Sequence, residues 1–113
     1  MKIIVPMVPP SGNQMRRRYR HPFAYLKLRD TWKHNIWALG PRFRAGNEKM
    51  DVTIHVEHSR LYDEDNLIAG CKPILDSLKS LCYIKDDSPA FIELKVTQAV
   101  SREKQTTIEV RPA

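Results

Sequence analysis

From Met50 to Val56 the chain alternates without a break. Met50, Val52, Ile54 and Val56 fall on one side, and Asp51, Thr53, His55 and Glu57 on the other. Successive strand side chains point to opposite faces, so this register makes a half-buried strand. The alternation returns at Ile92, Leu94 and Val96, and again at Thr106, Ile108 and Val110. Ser101-Arg102-Glu103-Lys104 between those two runs reads as a hairpin loop. Lys2 to Val8 is a further β-rich run interrupted by Pro6, so it is an edge strand or one that ends at that proline. Helical spacing appears twice. Tyr25, Leu28, Trp32, Ile36 and Leu39 form one apolar stripe between Ala24 and Leu39, stopped by Gly40-Pro41. Leu67, Cys71, Leu75, Leu78 and Cys82 form the second, where Gly70 and Pro73 predict a kink or restart near residues 70–73. The expected fold is α+β, a single domain with a small mixed sheet, helices packed on it and the order β-α-β-α-β-β.

The chain has 113 residues, enough for one compact domain and not two. A domain of this size buries a moderate core, and a partner subunit would help it. A hydrophobic content of 42% argues against wholesale disorder. No apolar run approaches the ~20 residues of a membrane span. The first residues, MKIIVPMVPPSGN, contain three prolines and lack the apolar stretch of a secretory leader. Cys71 and Cys82 are the only cysteines and read as reduced core residues. Together these predict a cytoplasmic protein with no membrane partner.

Charge is unevenly placed. Residues 1–50 carry eleven Lys and Arg against two acids, while residues 51–113 carry eight against eleven. A basic half attracts phosphate, and clustered acids can hold a cation that neutralises it locally, although a solvated basic surface would look the same in composition. Arg16-Arg17-Arg18-Tyr19-Arg20-His21 must be exposed. It is either a solvated basic loop or a DNA-contacting one, with guanidinium groups on phosphates and Tyr19 stacked on an unpaired base. His55 and His58 lie outside the acid clusters and read as surface polar residues rather than ligands.

The acids concentrate at both ends of the second helical stretch, at Asp63-Glu64-Asp65-Asn66 and Asp86-Asp87. In an extended segment Asp63 and Asp65 point the same way and Glu64 points away. Magnesium takes oxygen ligands, usually one or two carboxylates with waters and phosphate oxygens. A position just before a helix also favours anions. By itself, however, such a sequence is what a helix cap looks like, with Asp65 as the N-cap. Asp86-Asp87-Ser88-Pro89 is also a good turn, so one acid would serve the metal and the other the turn. Lys72 follows Asp65 by seven residues, about two turns, which would put it on the same helix face. Asp76 could pair with Lys72 or hold it in place.

These residues resemble the RusA family of Holliday junction resolvases, found in bacteria and their phages. The resemblance rests on Asp63-x-Asp65-Asn66-Leu67, a lysine ahead of Asp76-Ser77-Leu78, and Lys85-Asp86-Asp87-Ser88 before a strand. Pro9-Pro10-Ser11-x-Asn13 followed by arginine is similar to that family's N-terminal signature. The likeness covers essentially the whole chain. It implies a small homodimer that resolves four-way DNA junctions in recombination and repair, using Mg²⁺ or Mn²⁺. By position, Asp63, Asp65 and Asp87 match the catalytic, metal-holding acids and Lys72 the active-site lysine. Arg16, Arg17, Arg18, Arg20 and Asn13 would contact DNA. The interval from D-x-D-N to the lysine is longer here than in the family pattern, by about one helical turn. Two other readings remain: a non-catalytic basic nucleic-acid-binding module, and a metal nuclease for other branched or single-stranded DNA.

Overall fold

In the computed structural model, which describes all 113 residues, the alternating run forms the central strand β2 (Met50–His58). The complete order is β1 (Lys2–Val5), α1 (Gly12–Arg18), α2 (Pro22–Leu39), β2, α3 (Glu64–Gly70), α4 (Lys72–Ser80), β3 (Ile92–Val100) and β4 (Gln105–Pro112). The four strands make one mixed sheet in the order β1-β4-β2-β3. β4 runs antiparallel to both β1 and β2, whereas β3 runs parallel to β2. β1 is an edge strand that ends at Val5, just before Pro6, because proline has no N–H to offer the ladder.

The expected hairpin between β3 and β4 does not form. The strands are consecutive in the chain, but β2 lies between them. The segment 101–104 instead crosses the end of β2, where the Ser101 N–H donates to the carbonyl of His58. Alternation sets which face of a strand is buried and leaves its neighbours open.

The apolar faces of the strands and the helices meet in one cluster. Val52, Ile54, Val56, Ile108 and Val110 from the sheet are fully buried, together with Trp32 and Ile36 of α2 and Ile74 and Leu78 of α4. Each such aliphatic side chain contributes about 1.5–3 kcal/mol by leaving water. The α2 stripe is core at Trp32 and Ile36 but runs out to solvent at Leu39, which is 49% exposed. His21 begins this helix by accepting from the Phe23 N–H, with Pro22 in the first turn.

Three local expectations are corrected. Arg16, Arg17 and Arg18 of the arginine run are the last turn of a helix rather than a loop, and only Tyr19 to His21 form the connection to α2. Ser11 accepts from the Gln14 N–H and Gln14 reaches back to the Ser11 N–H, a reciprocal cap that nucleates α1. The restart expected near residues 70–73 falls at Cys71, with Pro73 in the first turn of α4, so the second helical stretch is two helices. Lys72 therefore does not continue the helix of Asp65. Cys71 is buried, but Cys82 is only half-buried and sits past α4 with a φ of 65°. No helix is long and apolar enough to cross a membrane.

Candidate nucleic-acid and metal site

Two glycines let α1 and α3 approach closely. A Cβ on Gly70 would lie 1.8 Å from the Pro10 carbonyl oxygen, and one on Gly12 would lie 2.9 Å from Asn66 Oδ1. The arginine-bearing helix is thereby seated on the helix that carries the first acid cluster. Arg16 donates to Asn13 Oδ1 at 2.6 Å and to Asn66 Oδ1 at 3.5 Å, linking the two motifs directly. Arg16, Arg17, Arg18 and Arg20 are all exposed, and Tyr19 is half-buried at the end of α1.

Asp63, not Asp65, is the N-cap residue of α3. Its backbone is extended (φ −60°, ψ 150°), and its carboxylate makes no capping hydrogen bond. Glu64 and Asp65 are already helical, so the two aspartates are not related by strand alternation. Both are exposed, and the chain's ion pairs involve neither.

The approach to Asp63 is held by residues that local patterning does not mark. Gln98 of β3 accepts from the Tyr62 N–H at 3.0 Å and donates to the Tyr62 carbonyl at 2.7 Å, clamping the backbone one residue before Asp63. The same Gln98 oxygen lies 3.0 Å from His58 Nε2. The His58 ring meets Tyr62 edge-on at 4.6 Å, and Tyr62 donates to the Pro9 carbonyl. His58 is only 3% exposed, which corrects the reading of it as a surface residue. β2 simply runs past Val56 in the same phase, and that phase was the available signal. His55 keeps to the other face, with Nδ1 2.6 Å from Thr97 Oγ1.

The α4 side is organised by Tyr25 of α2. Its hydroxyl donates to the Asp76 carboxylate, and the Lys72 ammonium sits 5.4 Å from the centre of its ring. Lys72 forms no ion pair with Asp76; the two meet through Tyr25 instead. Burial pushes the Tyr25 phenol well above its ordinary range. The Asp76 hydrogen bond and charge add to this, as does the charge of Asp87, while Arg29 opposes them.

The second acid cluster divides as its two residues are used. Asp86 pairs with Lys79 at 2.9 Å. That bond, helped by the Asp87 N–H and the Ser88 hydroxyl, holds Asp86 down at about 2. Asp87 is exposed and free of ion pairs.

Asp63, Asp65 and Asp87 are hard, uncommitted oxygen donors of the kind magnesium takes. No three Asp, Glu, His or Cys side chains of the single chain lie together as a ready-made metal cage. Exposed carboxylates of this kind can each give oxygen to a cation whose shell is completed by phosphate and water oxygens. Compared with protein-family models and with curated proteins, the chain matches none.

Proposed function

We propose that this chain is a metal-dependent, structure-selective endonuclease that resolves four-way DNA junctions by symmetric phosphodiester cleavage, working as a homodimer. One observation carries the reading: the arginine helix α1 packs on α3, whose start carries two free carboxylates. Phosphate-binding and cation-binding groups thus share one neighbourhood. The likeness of the same residues to the RusA pattern supplies the reaction class. The longer interval before the lysine falls where the chain restarts at Cys71.

In this reading Asp63, Asp65 and Asp87 are the carboxylates offered to Mg²⁺ or Mn²⁺, one or two of them on the ion at a time, since the single chain does not gather all three. When bound, the ion supplies an activated water and offsets charge on the phosphate. Lys72, steadied over the Tyr25 ring, lends positive charge to the leaving oxygen. Arg16, Arg17, Arg18 and Arg20 grip the DNA backbone, with Asn13 holding Arg16. Gln98 and His58 keep the backbone before Asp63 in register. Two-fold symmetry suits a junction because paired nicks need paired sites.

The test is a substrate panel of four-way junction, flap, single strand and linear duplex, each with Mg²⁺ and with EDTA. The expected result is cleavage of the junction alone, in Mg²⁺ alone. Binding indifferent to Mg²⁺ with no nicking would make the chain a non-catalytic module. Preference for the flap or the single strand would keep the nuclease and change its substrate.

A further inference from the structure

At the far end of α2 from the arginine helix, Trp37 stands 47% exposed between two cavities. One, of about 500 Å³, is lined by Arg42, Phe43, Arg44, Leu81 and Tyr83 along with Trp37. The other, of about 520 Å³, lies by Lys33 and His34, with Asp30 at its edge tied to Arg29. The first cavity contains no acidic residue. Its rear wall is held by hydrogen bonds and ring packing. Tyr83 is buried and donates to the Pro41 carbonyl at 2.6 Å, and Phe43 packs against the Tyr83 ring at 5.3 Å. The Ala45 N–H donates to the Cys82 carbonyl, fixing the 41–45 segment to the chain after α4. Arg42 lies over the indole, 4.7 Å from its centre, and is otherwise exposed.

We propose that the Trp37 pocket is a stacking site for an unpaired nucleobase of the DNA, separate from the acids at α3. This rests on the reading of the chain as a DNA-binding enzyme. A half-exposed indole with Arg42 and Arg44 beside it, in a cavity without a carboxylate, is what a flexible strand uses: the base stacks and the phosphates meet the cations. The exposed cation–π contact of Arg42 is the weaker of the two interactions, so a base can displace it and leave the guanidinium to the adjoining phosphate. A branched substrate offers such bases where its strands part.

The two tryptophans make this measurable. Trp32 is fully buried in the core, so Trp37 is the only indole a base can reach. A fluorescein-labelled oligothymidylate is titrated in EDTA, reading tryptophan emission without label and anisotropy with it. Wild-type emission is quenched on binding, and Trp37→Phe, which keeps only Trp32, shows no quench. Trp37→Ala and Arg42→Ala retain the wild-type melting temperature, and Trp37→Ala binds the oligonucleotide about tenfold more weakly. Equal affinity in Trp37→Ala, or quenching that persists in Trp37→Phe, overturns the stacking site and leaves the nuclease reading standing. Quenching without junction cleavage overturns the nuclease reading alone, and a wild-type chain that binds no DNA overturns both.

Discussion

Tyr25 is the residue on which the α4 half of the site turns. It binds Asp76 through its hydroxyl and supports Lys72 with its ring. A hydrogen bond to a charged group stabilises by about 1.5–3 kcal/mol, and Tyr25 is half-buried, so Tyr25→Phe is expected to lower unfolding stability in urea by about 1–2 kcal/mol. It keeps the ring, so Tyr25→Leu should lose more junction cleavage than Tyr25→Phe. The sequence places Tyr25 on the apolar stripe, which is correct, but its partner lies 51 residues away and leaves no local trace. Cys71 makes a second prediction. Burial pushes its thiol from 9.0 up to about 12. The unfolded chain gives up that proton from about pH 9, so the thiol's contribution is intact below that pH and is lost as pH rises towards 12. Cys71→Ala should flatten this alkaline loss in urea melts. In the native protein at pH 8 a thiol reagent should modify Cys82 alone, with Cys71 reacting after denaturation.

Among the elements, the strands and α2 were legible because each carries a period long enough to read. α1 was not, since its capping box is two residues set among prolines, glycine and asparagine. The break between α3 and α4 was visible in Gly70 and Pro73. The strand order was not, because the insertion of β4 beside β2 is a long-range choice that alternation leaves open. The seat of α1 on α3 depends on two glycines that differ in what surrounds them. Gly70→Ala would drive a methyl into the Pro10 backbone, which cannot give way, whereas Gly12→Ala meets the end of the Asn66 side chain and the Ala69 methyl. Gly70→Ala is expected to cost about 2–3 kcal/mol and Gly12→Ala under about 1 kcal/mol. Chemical denaturation compares them, and equal costs would show that α1 is not seated through Gly70.

At the scale of the whole molecule, the uneven charge of the sequence becomes a spatial arrangement. The basic half supplies α1 and α2, and these pack on α3 and α4, which carry or adjoin the acids. The candidate acids and Lys72 were legible as residue types at a spacing. Their geometry was not, because it depends on where α3 starts, on the restart at Cys71 and on the hold that Gln98 has on Tyr62. The fold separates Asp86, spent on Lys79, from the uncommitted Asp63, Asp65 and Asp87. The proposed function depends most directly on Asp65. Its side chain is exposed and unpaired, so Asp65→Asn should leave the melting temperature unchanged. The deciding measurement is cleavage of a four-way junction in Mg²⁺ by this variant, beside its metal-free binding of the same junction. Abolished cleavage with binding equal to or tighter than wild type is the predicted result, and full cleavage by Asp65→Asn would contradict the account.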